Sequence, residues 1–217
     1  MHADATLADD KGTTPLMHAL CGLLDGVSAR GTDEATAHTE VIDRLLALGA
    51  DACALHTADA DGRTALSLSL QQGLLDVAHR LLRAGARATG AVQGGRPLLH
   101  AALLSTGSDR VVTRVVQGLL DTGCDVNERD GSCGGCTPLC YAPNAALAGL
   151  LMRHGADMAA RDDEGLTALH WACIYGREDV VGVLLDQGVV DAPDEFGWKA
   201  LDYAQQAGCA NVIARLS

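Results

Sequence analysis

The feature of this sequence that most constrains its fold is a leucine pair followed within a few residues by a glycine, which recurs along the chain. The pair closes five segments, and the successive glycines stand 36, 38, 32 and 33 residues apart. These glycines are Gly49, Gly85, Gly123, Gly155 and Gly188. A spacing in this range is typical of a repeat array, in which each unit buries its apolar face only against its neighbours.

A second motif stands upstream of each leucine pair and occurs once more after the last of them. It consists of Thr, Arg or Lys, then Pro or Ala, then Leu, and its six copies begin at Thr14, Thr64, Arg96, Thr137, Thr167 and Lys199. A threonine at this place can cap the free N–H groups of a helix, and a proline at the next position fits the first helical turn. Glycine after the leucine pair can adopt positive φ and end a helix. Each unit is therefore predicted to be a turn followed by two short helices.

The fifth copy resembles the ankyrin repeat. It reads Asp-x-x-Gly-x-Thr-Ala-Leu-His-x-Ala over residues 162–172 and Gly-x-x-x-x-Val-x-x-Leu-Leu-x-x-Gly over residues 176–188. The resemblance extends over nearly the whole chain, and it implies an all-α fold: an ankyrin-repeat solenoid of stacked antiparallel helix pairs with short β-turn fingers. We expect a single domain over residues 1–217, with repeats at roughly 10–53, 59–88, 94–127, 130–159, 162–192 and 194–217.

Three copies depart from the regular length. The first carries a polar insert at 27–40, which indicates either a solvated loop with an extended second helix or a dedicated partner-contact loop. The third carries an insert at 103–110, and Ser108 is expected to start a lengthened second helix. In the fourth, Pro143 falls inside the expected first helix and cannot donate to its hydrogen-bond ladder. A truncated or irregular helix is therefore predicted there.

The charge balance excludes several classes of function. The 217 residues carry a net charge of −12, whereas a nucleic-acid binder needs a basic face, so we expect no nucleic-acid partner. No segment reaches the ~18 consecutive apolar residues of a membrane span, and the first ten residues lack the pattern of a secretion signal. We therefore expect a cytoplasmic monomer with no membrane partner.

A cysteine cluster is the strongest candidate for chemistry. Cys133 and Cys136 form a Cys-x-x-Cys motif on a glycine turn, with Cys140 close by. Such a motif can bind zinc, but a structural zinc needs four ligands and the chain has no second pair. The sequence favours structural thiols, and it leaves open a zinc site and a redox pair.

No other residues form a catalytic pattern. There is no Ser/His/Asp set and no phosphate-binding glycine loop, and His170 with Cys173 fits a packing pair better than a catalytic one. The family resemblance implies that the His170 ring ties its helix to nearby backbone, and it places Cys140 at the equivalent, buried position of the fourth copy. We therefore predict a protein without enzymatic activity and without a cofactor.

The distribution of aromatic and acidic residues points to a binding surface. All six aromatic residues follow residue 140, and residues 157–195 contain ten acidic and two basic residues. The resemblance implies that partners dock on the finger tips and on the exposed ends of the first helices. These places are Asp163, Glu164, Leu166, Ile174, Tyr175, Glu195, Phe196, Trp198 and Gln206. Aromatic anchors ringed by acids suit a basic protein surface. The alternative is that Trp171 and Tyr203 are core and that the acids form a solvated face.

We therefore predict protein–protein recognition through an acidic concave and finger surface, with a partner that presents a basic surface. Two uses of such a surface stay open. One is an inhibitor or immunity-type protein that blocks a basic enzyme or toxin, and the other is an adaptor or targeting domain of a longer protein. The rival hypothesis is a metal- or redox-responsive protein that acts through Cys133, Cys136 and Cys140.

Overall fold

The secondary structure of the chain is helical. The computed structural model describes residues 8–27, 44–45, 55–92 and 94–216. Within these ranges there are ten α-helices, one 3₁₀ helix and no β-strand. The predicted all-α fold is thereby confirmed. No helix in the described ranges is both long enough and apolar enough to cross a membrane.

The first of two compact units, Met1–Cys124, consists of stacked helix pairs. Its described helices are α1 (Pro15–Val27), α2 (Ala65–Gln71), α3 (Leu75–Arg83), α4 (Leu98–Leu104) and α5 (Asp109–Asp121). Helix α2 pairs with α3, and α4 pairs with α5. Between pairs, α2 packs on both α1 and α4, while α3 packs on α5. First helices therefore stack on first helices, and second helices on second helices, as expected for a repeat array.

The second unit, Asp125–Ser217, follows the same scheme. Its helices are a 3₁₀ helix (Pro138–Tyr141), α6 (Ala145–Arg153), α7 (Ala168–Ile174), α8 (Glu178–Asp186), α9 (Ala200–Gln206) and α10 (Ala210–Leu216). The 3₁₀ helix, α7 and α9 pack in one row of first helices, and α6, α8 and α10 pack in the row of second helices.

Leucines at equivalent places in the repeats form the core of each unit. The fully buried ones include Leu66, Leu81, Leu99, Leu119, Leu139, Leu147, Leu151 and Leu169. Burial of one such side chain contributes about 1.5–3 kcal/mol, and a single helix pair has too few of them to fold alone. Stability therefore comes from the interfaces between neighbouring pairs.

The predicted threonine caps are present at the first helices of the first two copies, whereas Thr137 of the fourth copy makes no side-chain cap hydrogen bond. The hydroxyl of Thr14 accepts a hydrogen bond from the N–H of Met17 at 3.3 Å. Thr64 and Ser67 cap reciprocally, because each backbone N–H donates to the other residue's hydroxyl, at 2.9 and 3.2 Å. In the third copy Arg96 replaces the threonine, and the helix-start residue, Pro97, makes no side-chain cap.

Two predicted irregularities of the repeats are confirmed. Helix α5 has 13 residues against nine in α3, and Ser108 lies at its N-cap. In the fourth copy the first helix is a four-residue 3₁₀ helix that ends before Pro143. Asn144 then starts α6, since its side chain accepts a hydrogen bond from the N–H of Leu147 at 3.0 Å. The insert at 27–40 lies outside the described residues, apart from the backbone end of α1.

Four fingers, the turns that precede first helices, share one hydrogen-bond pattern centred on an aspartate. Its Oδ1 accepts from the N–H groups two and four residues on, at 2.8–3.0 Å. The residue three positions on is a glycine with φ between +75° and +84°, a conformation that other residues adopt at a cost. The four aspartates are Asp9, Asp59, Asp162 and Asp194.

The finger of the fourth copy is longer by two residues. Asp130 donates its N–H to the carbonyl of Cys136, six positions later, at 2.9 Å. In the other four fingers the aspartate N–H donates to the carbonyl four positions later. Gly134 and Gly135 both have positive φ, of +63° and +70°, and they accommodate the extra length. The Cys-Gly-Gly-Cys motif is therefore part of an enlarged finger.

Candidate functional site

The candidate site lies in the second unit, on the fingers at 162–166 and 194–198 and on the first helices that follow them. We call it the aromatic–acidic surface and define it by Tyr175, Phe196, Trp198, Glu164 and Glu195. All five residues are exposed, and 58% of Tyr175, 70% of Phe196 and 42% of Trp198 is accessible to solvent. Large exposed aromatic side chains are uncommon in a well-packed repeat array, so each needs a structural account.

Two aspartates hold the rings of Trp171 and Tyr203, which lie behind this surface, by hydrogen bonds. The second carboxylate oxygen of Asp162 accepts from the indole Nε1 of Trp171 at 2.8 Å. The second carboxylate oxygen of Asp194 accepts a hydrogen bond from the hydroxyl of Tyr203 at 2.6 Å. Because Oδ1 of each aspartate holds its own finger, one carboxylate joins a finger to the next first helix.

The Asp194–Tyr203 bond shifts the pKa values of both partners. Burial acts to raise the pKa of Asp194, but hydrogen bonds from Tyr203, Trp198 and Phe196 outweigh it and leave the pKa below its ordinary value. The same bond, together with burial, raises the pKa of Tyr203 to about 12. At neutral pH the pair is therefore a charged acceptor with a neutral donor, which is the stronger form of this bond.

Tyr175 stands in a stack of three side chains. Its ring lies parallel to Trp171, with the centroids 5.7 Å apart and an interplanar angle of 19°. The guanidinium carbon of Arg177 lies 4.7 Å from the centroid of Tyr175. Arg177 is itself anchored, since it donates to the carbonyls of Cys140 and Ala142 at 3.2 and 3.1 Å. The stack holds an exposed ring in one orientation.

Trp198 is supported by the neighbouring ring of Tyr203. Their centroids are 5.4 Å apart at an angle of 47°, and the rings of His170 and Tyr203 form a T-shaped pair with centroids 5.9 Å apart. Trp171 and Tyr203 are half-buried. They support Tyr175 and Trp198, and since both remain partly accessible to solvent, neither is a core residue, contrary to the alternative interpretation.

The acidic residues at this surface differ in their pairing. Asp163 forms an ion pair with Arg129 at 2.6 Å, so its charge is partly neutralised. Glu164 and Glu195 have no ion pair with any described residue. They lie on adjacent fingers, whose backbones meet through the N–H of Glu195 and the carbonyl of Glu164 at 3.4 Å. Two uncompensated carboxylates therefore flank the exposed rings.

One predicted contact residue has to be removed from the site. Leu166 is only 3% exposed, because it closes the finger on Asp162 and its side chain packs in the core, so the expectation that it lies at the surface is wrong. Ile174 is half-buried and Gln206 is exposed.

Arginines that the sequence analysis did not single out tie the fingers together. Arg129 donates to the carbonyl of Arg161 at 3.1 Å as well as to Asp163. Arg161 donates to the carbonyls of Gly165 and Pro193 at 2.8 and 2.9 Å, which connects consecutive fingers. The signal for them was present, because both arginines directly precede a finger aspartate, 32 residues apart.

The cysteines of the enlarged finger are not arranged as a metal site. Cys133 is exposed, whereas Cys136 and Cys140 are 2% and 4% exposed, and all three are free thiols. No group of three or more metal-ligating side chains occurs in the part of the chain that the structure describes. Hydrogen bonding with Cys140, burial and the nearby Asp162 all raise the pKa of Cys136, which keeps this thiol neutral. The zinc hypothesis therefore has no structural support.

His170 and Cys173 are packing residues. Both are fully buried, and Nδ1 of His170 accepts from the N–H of Thr167 at 3.1 Å, the expected tie to its own turn. Burial lowers the pKa of His170 and raises the pKa of Cys173 to about 12. A neutral thiol that is out of contact with solvent is a poor nucleophile.

Comparisons with known proteins agree with this geometry. The family model described as ankyrin repeats, in three copies, matches residues 139–217. Relatives include the neurogenic locus notch homolog protein 1 of Cricetulus griseus and of Homo sapiens, each 34% identical over 189 residues. Notch homolog protein 2 of Homo sapiens is 33% identical over 189 residues. Each alignment covers 85% of this chain and 7% of the relative.

The family match accounts for the helix pairs, the fingers and the tie between His170 and Thr167 in one scheme. Six copies remain a prediction, since the matching model covers three. The chain belongs to the ankyrin-repeat proteins, whose repeats are protein–protein interaction modules.

Proposed function

We propose that residues 125–217 recognise a basic protein surface through the aromatic–acidic surface, without catalysis. The observation that carries this proposal is the combination of three exposed aromatic rings with two unpaired carboxylates on adjacent fingers. A few side chains provide most of the binding energy at a protein interface, with Trp and Tyr enriched among them, and flanking charges direct the encounter and select the partner.

The support behind the rings favours tight binding. Tyr175 is held between Trp171 and Arg177, and Trp198 rests on Tyr203, whose hydroxyl is bonded to Asp194. A side chain that is already ordered in the free protein loses less conformational entropy when a partner binds. The mechanism is thus steric and electrostatic, with the surface formed before the partner arrives.

Two uses of the surface are compatible with this mechanism. As an inhibitor or immunity-type protein, the chain would cover the basic site of an enzyme or toxin, and net charge −12 favours that use. As an adaptor, it would hold a partner for another domain. The matching segment makes up 7% of each notch homolog, so in those relatives it is one part of a much longer chain.

Affinity capture from the native lysate with matched variants tests the proposal. The bait variants are Trp198→Ala and Tyr175→Ala, and Val190→Ala is the control because Val190 is 79% exposed and lies outside the surface. Proteins lost by the first two baits and retained by the control should have a basic surface. If all the baits capture the same proteins, the aromatic–acidic surface is not the recognition site.

Charge-matched single variants separate specific contacts from general acidity. Glu164→Gln and Glu195→Gln each remove one unpaired carboxylate of the surface, whereas Asp186→Asn removes one exposed carboxylate from helix α8. We expect each of the first two changes to weaken binding of the captured partner more than twice as strongly as the third. Equal effects would indicate attraction to net charge alone.

A further inference from the structure

The first unit contains a groove that the proposed function does not use. It has a volume of about 500 Å³ and lies between the second helices α3 and α5. The two helices approach closely at Gly118, where an added Cβ would lie 3.0 Å from a methyl group of Leu82. Leu82 and Gly118 line the groove together with two arginines, Arg83 of α3 and Arg114 of α5.

The charges of these two arginines are not compensated. Arg83 and Arg114 are exposed, and neither forms an ion pair or hydrogen bond with a described residue. The acid that lines the groove, Asp121, already accepts from the side-chain amide of Gln117 at 2.7 Å. Two guanidinium groups with free donors therefore line one mainly apolar groove.

A third group in the groove, His79, also lacks a partner. Its Nδ1 is buried and makes no hydrogen bond. Burial and the positive charges of Arg114 and Arg83 lower the pKa of this histidine, while Asp76 opposes them. The ring is thus neutral at physiological pH and close to both guanidiniums.

We propose that this groove binds a segment of a second protein partner that presents a carboxylate beside an apolar side chain. Guanidinium groups bind carboxylates through paired N–H donors, and Arg83 and Arg114 have those donors free. The apolar side chain packs on Leu82 and on the methyl groups of Thr113 and Thr122, which also line the groove. This partner is acidic, whereas the partner proposed for the aromatic–acidic surface is basic.

The charge distribution favours an acidic peptide over a nucleic acid. Residues 55–124 contain seven arginines and five aspartates, a net charge of +2, in a chain whose net charge is −12. A polyanion requires many cations along its backbone and is repelled by the acidic remainder of the chain. Two arginines beside apolar surface suit one or two carboxylates.

Fluorescence anisotropy on the full chain tests the proposal. The probe is a short fluorescein-labelled peptide of alternating Glu and Leu, and a peptide with Gln in place of Glu is the uncharged control. The groove variant is Arg83→Gln with Arg114→Gln. The matched variant is Arg87→Gln with Arg110→Gln, which removes the same charge from exposed arginines that do not line the groove.

We expect the Glu/Leu peptide to bind the wild-type chain, and the groove variant to weaken binding about tenfold or more. The matched variant should weaken it less than about twofold, and Trp198→Ala should leave it unchanged, so failure here is distinguishable from failure of the proposed function. The peptide should also shift the ring resonances of His79 in NMR spectra.

Three results would overturn the proposal. The Gln peptide could bind as tightly as the Glu peptide, the matched variant could lose as much affinity as the groove variant, or duplex DNA or inorganic phosphate could displace the peptide at lower concentrations than unlabelled peptide does.

Discussion

Residues 55–124 and residues 125–217 share one packing scheme and present different surfaces. Both stack first helices on first helices and bury leucines at the same places, such as Leu98 and Leu169. Yet the former segment has a net charge of +2 and no aromatic residue, whereas the latter has 14 acidic and six basic residues and all six aromatics.

The comparison teaches that the repeat determines the core but not the surface. Packing fixes the leucines, the finger glycines and the capping threonines, because each contacts its own or the adjacent repeat. Exposed positions on the fingers and helices are free to differ. Differences between repeats of one chain are therefore more informative about function than the features they share.

The largest expected effect is on stability, and it tests whether both segments depend on the same packing of leucines in their first helices. Leu98→Ala and Leu169→Ala each leave a cavity in a first helix, and each should lower the free energy of unfolding by about 3 kcal/mol. Denaturant unfolding measures both. If only one of the two substitutions lowers the free energy of unfolding, the two segments do not depend on the same packing.

Substitution of a finger aspartate should lower stability by different amounts in the two segments. Asp162→Ala removes the acceptor for two backbone N–H groups and for Trp171, and we expect a loss of about 2 kcal/mol with a change in tryptophan fluorescence. Asp59 holds its finger in the same way but bonds Arg63 in place of a ring. Asp59→Ala should therefore cost less, because Arg63 keeps its ion pair with Asp61; an equal or larger loss would contradict this ranking.

The pH dependence of stability follows from Asp194. Because the pKa of this carboxyl is lowered in the folded protein, its stabilisation is present above the pKa of an unfolded aspartate and is lost as pH falls through the folded value. Asp194→Asn should lower stability by about 1–2 kcal/mol near neutral pH. Below the folded pKa the variant and the wild type should converge, and a constant difference across the acid range would exclude this origin.

The smallest expected effect is that of ionic strength on the affinity for the partner. Affinity for the partner of the aromatic–acidic surface should fall severalfold between low and physiological ionic strength, since Glu164 and Glu195 are exposed and their attraction is screened. The Trp198 contact should be insensitive to salt. A salt-independent dissociation constant would remove the acidic part of the proposal.

Much of the fold was predictable, because local rules dominate in a repeat array. Pro143 indicated the truncated helix of the fourth copy, and Ser108 indicated the start of α5, although its side chain makes no cap hydrogen bond. The site was predictable only in part. Exposure of Tyr175 was expected, but the position of Arg177 over its ring depends on hydrogen bonds to the carbonyls of Cys140 and Ala142 in the preceding repeat, which a linear pattern does not contain.

The burial of Leu166 was missed for a similar reason. Its place on a finger suggested exposure, yet the last residue of a finger turns back toward the core as the helix begins. The groove at Arg83 and Arg114 was also missed, since the two residues come from different repeats and neither is unusual in its own helix.

The most direct test of the account is the dissociation constant of the captured basic partner for wild type, Trp198→Ala and Val190→Ala, with unfolding free energy measured on the same samples. We expect Trp198→Ala to weaken binding about thirtyfold while stability changes by less than about 0.5 kcal/mol, and Val190→Ala to change neither. Unchanged affinity in Trp198→Ala, or a loss of affinity that merely follows a loss of stability, would contradict the account.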